Sequence, residues 1–582
     1  MQALWKLIPG LSREGKVVNK QALSLAKKLD LDPLLINWLF YLGHDSEEKL
    51  HEFFYPSLKN LHNPFLMKDM SKAVARLKRA FENNEKILII GDYDVDGTTS
   101  TALLLRALRP TYQNIDYYIP DRYKEGYGVS IKAINFAKDN NFSLIISVDC
   151  GINAFEPISL ARKSNIDFIV IDHHTPEKNL PPATAILNPK QPDDSYPFKE
   201  LSGCGVALKF LHALVVKKII PVSRLNESLD LVAMSIAADI VPIVGENRIL
   251  AYYGLKKLNS HPIPGLEALI KAADIKSQIN IGTIGFVLGP RINAAGRLEH
   301  GSLAVELFLK QETEQALELA KRLSNLNSQR QKLQQDIVKA AEKQVRANKS
   351  LQKANSLVLF SPEWNKGVVG IAASKIVELF FKPTIILTRS EGKITGSARS
   401  VPGFNIYNAI YQCRHLLTNF GGHDFAAGLS LEEQNLQNFI ICFESSVSQT
   451  ITPQQKRPLI NLAGKLHFYQ LSVPFVRTIE KLQPFGPGNP RPVFYNNEVR
   501  DTGYSRLIGK ASEHVLFQLE DPSNIVLTAL AFNMSDKVHD LINQPYNMRP
   551  VFSIAFTPEL VQREEESYVQ LLVKDIKFRK KR

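Results

Sequence analysis

Ile87-Leu88-Ile89-Ile90-Gly91-Asp92-Tyr93-Asp94-Val95-Asp96-Gly97 is the stretch on which the fold turns. A short apolar run, rich in β-branched residues and closed by Gly, reads as a strand buried on both faces. The three alternating aspartates behind it read as the loop that leaves that strand. The device recurs twice: Leu144–Val148 runs into Asp149-Cys150-Gly151, and Phe168–Ile171 runs into Asp172-His173-His174. Helical periodicity at 99–108, 130–139 and 155–163, with a β-rich run at 117–119, fills the intervals. Strand–helix alternation at this spacing predicts βαβ units and a mostly parallel sheet. The C-terminal ends of such strands lie along one edge, where ligands bind. Topology would therefore bring Asp94, Asp149 and His173 together. Carboxylates gathered at one edge repel one another unless a cation lies between them. Oxygen donors with a single imidazole suit Mn²⁺ or Mg²⁺ better than zinc. A calcium loop counted from Asp92 fails, because its twelfth position is Leu103 rather than a bidentate Glu. Asp239, in Ser235–Pro242 at a helix end, reads as a further ligand.

Outward from this block, the first ~65 residues read as short helices broken by Pro, Gly and Asn, a length set by typical helix punctuation. Helical segments at 206–216 and 229–238 complete the first α/β block. Residues 312–347 hold no Gly or Pro and keep a helical period. They would make a helix of roughly 50 Å, and their apolar positions are too sparse for a coiled-coil seam, which favours an interdomain connector. A second α/β block starts at 355–360 and runs to about residue 450, and strand-like runs between 493 and 573 suggest a small β-barrel. The expected organisation is α/β: an N-terminal helical segment 1–70, a parallel-sheet domain 71–311, a connecting helix 312–350, a smaller α/β domain 351–455 and a β domain 456–582.

Composition narrows the class. Of 582 residues, 71 are Lys or Arg and 58 are Asp or Glu, a net +13 that favours a polyanionic partner. The tail adds Lys574, Lys577, Arg579, Lys580, Lys581 and Arg582. No run approaches the ~18 apolar residues of a membrane span, and the start lacks a secretory h-region and cleavage site. The four cysteines (Cys150, Cys204, Cys413, Cys442) form no CxxC pair, which argues against a zinc ribbon or a disulfide framework and fits a reducing cytoplasm. Cys150 reads as a small buried residue.

Together, Asp92–Gly97, Asp149-Cys150-Gly151 and Asp172-His173-His174 resemble the motifs of the DHH phosphoesterase superfamily. Further motifs narrow the resemblance to its RecJ exonucleases: Pro120-Asp121-Arg122 with Glu125-Gly126-Tyr127-Gly128, Gly289–Leu298, Gly396–Ser400, Gly421-Gly422-His423 with Ala426-Ala427-Gly428, and Pro484–Pro490. The resemblance implies a 5′→3′ exonuclease on single-stranded DNA that works with two Mn²⁺ or Mg²⁺ ions and serves repair and recombination. It implies Asp94, Asp96, Asp149, His173 and Asp239 as metal ligands, with Asp92 and His174 beside them and His174 touching the scissile phosphate. The second α/β block resembles a DHHA1 domain; its Ser397 and Arg399, with Arg122 of the first block, match the family's grip on the 5′-phosphate. Arg291, Arg297 and His423 match contacts to the strand. The β domain resembles an OB-fold, in which Tyr504, Phe517 and Phe532 are candidates for base stacking, though each reads first as core. Asn365 stands where His is common and Lys375 where Arg is usual. The implied partners are single-stranded DNA, a helicase and a single-strand-binding protein, with no membrane; the expected state is a cytoplasmic monomer. Two rivals are a phosphodiesterase of oligoribonucleotides or cyclic dinucleotides, and a non-enzymatic scaffold.

Overall fold

The computed structural model describes residues 2–542, 544–545, 548–563 and 566–578, so Arg579, Lys580, Lys581 and Arg582 of the basic tail lie outside the described residues. The chain opens with a short strand, β1 (Leu4–Leu7), absent from the helical expectation. Three helices follow, Lys20–Leu29, Pro33–Tyr41 and Glu47–Phe54. Asn19, Asp32 and Ser46 cap them through their side chains, and Pro33 occupies the position where a missing N–H costs nothing. Their apolar face, including Leu35, Trp38, Leu39 and Phe53, is covered by the C-terminal body, with which it forms one core.

The first sheet comprises β2 (Ile87–Gly91), β3 (Ile115–Tyr118), β4 (Leu144–Val148), β5 (Asp167–Ile171) and β6 (Ala185–Leu187), in the order β3-β2-β4-β5-β6 and parallel throughout. β2 and β4 are buried along their whole length, which is why they read as unbroken apolar runs. One face packs against the helices Val95–Leu108, Gly203–Val216 and Leu229–Ala238, the other against Ile131–Asp139 and Phe155–Lys163. Strand order reverses between β2 and β4, the switch point where an open parallel sheet leaves a crevice.

The connector is a 35-residue helix, Thr313–Ala347, about 52 Å long at 1.5 Å per residue. Its first half contributes Ala316, Ala320 and Leu323 to the parallel-sheet core, and its second half contributes Ile337, Ala341 and Val345 to the next body. That body holds β7 (Leu357–Phe360), β8 (Thr384–Ser390), β9 (Lys393–Arg399), β10 (Asn419–His423) and β11 (Ala426–Leu431), ordered β10-β11-β9-β8-β7, with only β7 and β8 parallel. Here the structure corrects the reading of the cysteines. Cys413 and Cys442, with Cα atoms 6.0 Å apart, form a disulfide. Packing of the helices Ile406–Gln412 and Leu436–Thr450 brings them together across 29 residues, so their spacing carried no signal. Cys150 and Cys204 are free and buried.

The last body contains β12 (Leu459–Leu462), which pairs with β1, then β13 (Gly464–Lys465), β14 (Phe494–Asp501), β15 (Arg506–Ile508), β16 (His514–Glu520), β17 (Val526–Ala531), β18 (Phe552–Arg563) and β19 (Glu566–Phe578). The run β14-β18-β19-β17-β16 closes on itself where Arg500 and Asp501 of β14 meet Glu520 and Leu519 of β16. The result is a five-stranded barrel of OB type. Of the three aromatics read first as core, Phe517 is buried inside it. Tyr504 and Phe532 are not core, at 83% and 49% exposed. Two helices, Val473–Glu480 and Ser535–Ile542, escaped the sequence reading.

Candidate metal centre and anion pocket

Asp94 caps the helix Val95–Leu108, its Oδ1 accepting the N–H of Gly97 at 3.1 Å. Only glycine fits at 97, because a Cβ there would lie 2.4 Å from the carbonyl oxygen of Asp92. Asp96, in the first turn of the helix, faces the start of the helix Gly203–Val216. Its carboxylate accepts the N–H groups of Gly203 and Cys204, each at 2.8 Å, and the hydroxyl of Ser235 at 2.7 Å. A helix N-terminus is a ready seat for that negative charge. Asp149 leaves β4 with φ 57°, a left-handed conformation that a non-glycine residue holds only under constraint.

His173 joins these groups. Its Nε2 lies 3.2 Å from Asp149 Oδ1, 3.5 Å from Asp239 Oδ2 and 3.6 Å from Asp96 Oδ2. Both ring nitrogens of His173 and Asp149 Oδ1 are buried, with no hydrogen-bond partner among the described residues. Burial first, then mutual repulsion, holds the carboxyls of Asp92, Asp94, Asp149 and Asp239 above the ordinary carboxylate range. Burial also lowers His173. Unpartnered lone pairs and unrelieved repulsion are what a divalent, oxygen-preferring cation would satisfy, so the donor set fits Mn²⁺ or Mg²⁺. Asp149 with His173 and His174, and Asp96 with His173 and Asp239, each gather ligand atoms within 4.8 Å.

Asp92 sits beside this cluster, accepting the N–H of Gly128 at 3.3 Å. His174 is fixed by Asp172, its Nδ1 2.7 Å from Oδ1. The Asp172 carboxylate also accepts the N–H groups of Ile152, His173 and His174. Against the cost of burial, the hydrogen bonds and positive charge around it draw Asp172 down to about 2, and its carboxylate draws His174 up to about 9. The Tyr127 hydroxyl donates to the Asp149 carbonyl at 2.8 Å and stands 3.2 Å from His174 Nδ1. Sequence reasoning assigned no role to Asp172 or Tyr127, although both lie inside motifs that it quoted. His423, at the end of β10, rims the same 560 Å³ cleft as Tyr127 and His174.

A second cleft, of 490 Å³, opens between the parallel-sheet body and β9–β11. Arg122, Arg297, Ser397 and Arg399 line it, as expected, with Gly367 and Gly370 at the start of the helix Val369–Phe380. Arg399 Nη1 donates to Ser397 Oγ at 2.6 Å, Arg297 Nη1 to the Gly367 carbonyl at 2.9 Å, and Arg122 stacks 4.9 Å above the Tyr93 ring. Burial, then repulsion by Arg122 and its neighbours, lowers Arg297 to about 10 and also lowers Arg399. Among the described residues no carboxylate lines the cleft. Tyr123 and Lys366 line it too, and sequence reasoning missed them. Arg291 does not; it donates to the Val287 carbonyl at 2.6 Å and faces Ser324 on the connecting helix. Asn365 accepts the N–H of Gly367, and Lys375 forms a surface pair with Glu378.

Three family models match the chain: the DHH family, N-terminal domain, over residues 86–236; the DHHA1 domain, over 353–449; and the RecJ OB domain, over 462–575. The chain is 38% identical over 518 residues to the single-stranded-DNA-specific exonuclease RecJ of Bacillus subtilis (strain 168), covering 88% of this chain but 64% of that relative. It is 32% identical to the protein of the same name in Haemophilus influenzae, covering 90% of this chain and 93% of the relative. The crystal structure of RecJ from Thermus thermophilus in complex with Mn²⁺ has the same fold, with a TM-score of 0.82 at 26% identity over 99% of this chain and 80% of that one. The Mg²⁺ complex of that protein gives 0.76 at 25% identity, over 99% and 79%.

Proposed function

The chain belongs to the RecJ family of single-stranded-DNA-specific exonucleases, and on that premise we propose how its residues divide the work of cutting a strand from its 5′ end into mononucleotides. Asp94, Asp96, Asp149, His173 and Asp239 would hold two Mn²⁺ or Mg²⁺ ions. When bound, such ions supply positive charge against the phosphoryl oxygens and lower the pKa of attacking water. Asp96 is pinned by two helix N–H groups and one hydroxyl, so it enters that work already oriented. Asp172 holds the His174 ring, which offers an N–H to a phosphate oxygen. His423, on the rim of the same cleft, would meet the strand there.

The observation that carries this reading is the carboxylate-free arginine cleft. Three guanidinium groups, the Ser397 hydroxyl and a helix start converge there, and a terminal phosphate dianion is the ligand that such a set accepts. Tyr93, on whose ring Arg122 rests, lies between Asp92 and Asp94, so the end grip and the carboxylate centre share one loop. A phosphate held there sets the first phosphodiester at the centre and makes the enzyme end-dependent. Arg297 and Arg291 extend the positive track toward the connecting helix. In this reading the protein acts as a cytoplasmic monomer on strands that a helicase or a single-strand-binding protein presents.

A time course on a single-stranded oligonucleotide with Mn²⁺, labelled at each end in turn, tests the proposal. Early release of the 5′ label as a mononucleotide is the expected result. Release of the 3′ label first, or internal cuts, would overturn the polarity. Arg399→Ala should slow a 5′-phosphorylated strand about tenfold or more, the loss of a charge-assisted hydrogen bond, with a smaller effect on a 5′-hydroxyl strand.

A further inference from the structure

The segment Pro484-Phe485-Gly486-Pro487-Gly488-Asn489-Pro490 has no part in the chemistry above. It forms a tight loop between the helix Val473–Glu480 and β14, closed by reciprocal backbone bonds between Gly486 and Asn489 at 3.0 and 3.1 Å. The Asn489 side chain braces it, donating to the Leu482 carbonyl at 2.9 Å and the Pro484 carbonyl at 2.8 Å. The loop seats on Pro242–Val244 of the parallel-sheet body. The Pro487 carbonyl accepts the Ile243 N–H at 2.6 Å. The approach is so close that a Cβ at Gly486 would lie 2.6 Å from Ile243 Cγ1.

Ile243 lies four residues beyond Asp239, and between them Ile240 has φ 60°. A β-branched side chain is strained in that left-handed region. Ile240 is 68% exposed, so burial of its side chain does not hold it there. The turn is held around it: Val241 and Ile243 are buried in the parallel-sheet core, the Pro242 carbonyl accepts the Asn247 side-chain N–H at 3.1 Å, and backbone bonds fix both ends. Asp239 N–H donates to the Ser235 carbonyl at 2.9 Å, and Ile243 N–H donates to Pro487.

We propose that the 484–490 loop is a positioning element for the metal centre: by clamping Ile243 it keeps the strained 239–242 turn in place and Asp239 Oδ2 3.5 Å from His173 Nε2. The C-terminal body thereby sets the divalent-metal affinity of the parallel-sheet body. This rests on the reading of Asp239 as a ligand.

The test is calorimetric titration of the full chain with Mn²⁺, in the absence of DNA. Gly486→Ala should weaken binding about tenfold, the effect typical of losing a group that orients a ligand. Adding Ile240→Gly to that variant should recover most of the affinity, because glycine keeps φ > 0 without strain and the turn no longer needs the clamp. Asp239→Asn is the control. If it leaves Mn²⁺ affinity unchanged, the ligand reading fails. If it weakens binding while Gly486→Ala does not, the coupling alone is overturned. A loss in Gly486→Ala that Ile240→Gly leaves unrepaired also overturns it, since the effect would then be general loosening. Should Gly486→Ala not fold, Asn489→Ala, which removes only the loop's two side-chain bonds, takes its place with the same expectations.

Discussion

In the proposed reading Asp96 and Asp149 would serve one metal centre from opposite environments, and the two asparagine variants should part accordingly. Asp96 accepts three short hydrogen bonds from Gly203, Cys204 and Ser235. Asp96→Asn turns an N–H₂ toward donors that need an acceptor, at about 1–3 kcal/mol. It should abolish hydrolysis and lower the metal-free melting temperature. Asp149 Oδ1 has no donor among the described residues, and its buried charge is repelled by Asp96, Asp94 and Asp239. Asp149→Asn should abolish hydrolysis yet raise the metal-free melting temperature by about 2–4 °C per kcal/mol of relieved repulsion. Equal shifts in thermal melts of the two variants would refute this account. Asp172 acts through His174, so Asp172→Ala should lower kcat about 10- to 100-fold while KM for DNA stays near that of the parent. A rise in KM with kcat unchanged would make Asp172 a binding residue instead.

At the scale of elements, the helix Thr313–Ala347 is shared by two cores, and this sharing aligns Arg122 and Arg297 on one body with Arg399 on the other. The exposed stretch around Gln331 and Lys332 separates the two buried halves. One residue inserted between them would rotate everything downstream by about 100°. Such a variant should lose its preference for a 5′-phosphate. Retention of that preference in end-labelled assays would mean that the cleft does not depend on helix phase. The long helix, β2, β4 and β5 were legible in sequence because each is buried in a pattern that its own period displays. β6 was not: three residues, Ala185–Leu187, are too few to show a period. The helices Val473–Glu480 and Ser535–Ile542 were lost among flanking strand-like runs for the same reason of length.

Across the whole molecule, the two ends of the chain make one body. Trp38, Leu39 and Phe53 pack with Phe468, Phe494 and Phe517, and β1 pairs with β12. Trp38→Ala, at about 3–5 kcal/mol for a buried aromatic, should therefore open the C-terminal body to protease before the parallel-sheet body, although the substitution lies near the N-terminus. Cleavage that begins within residues 86–236 would contradict this. Such pairing is invisible in sequence, because it joins segments at opposite ends of the chain, Leu4 with Leu459, through ordinary apolar side chains. The same holds for Cys413 with Cys442, and for the seat of the 484–490 loop on Ile243. By itself the sequence determined the parallel sheet and the convergence of Asp94, Asp149 and His173, because strand polarity alone puts the ends of parallel strands on one edge. The distances that leave His173 and Asp149 Oδ1 without partners, the pinning of His174 by Asp172, and the assembly of the arginine cleft from two bodies were decided only by tertiary structure. Each depends on surfaces distant in the chain meeting at an angle that no local period encodes.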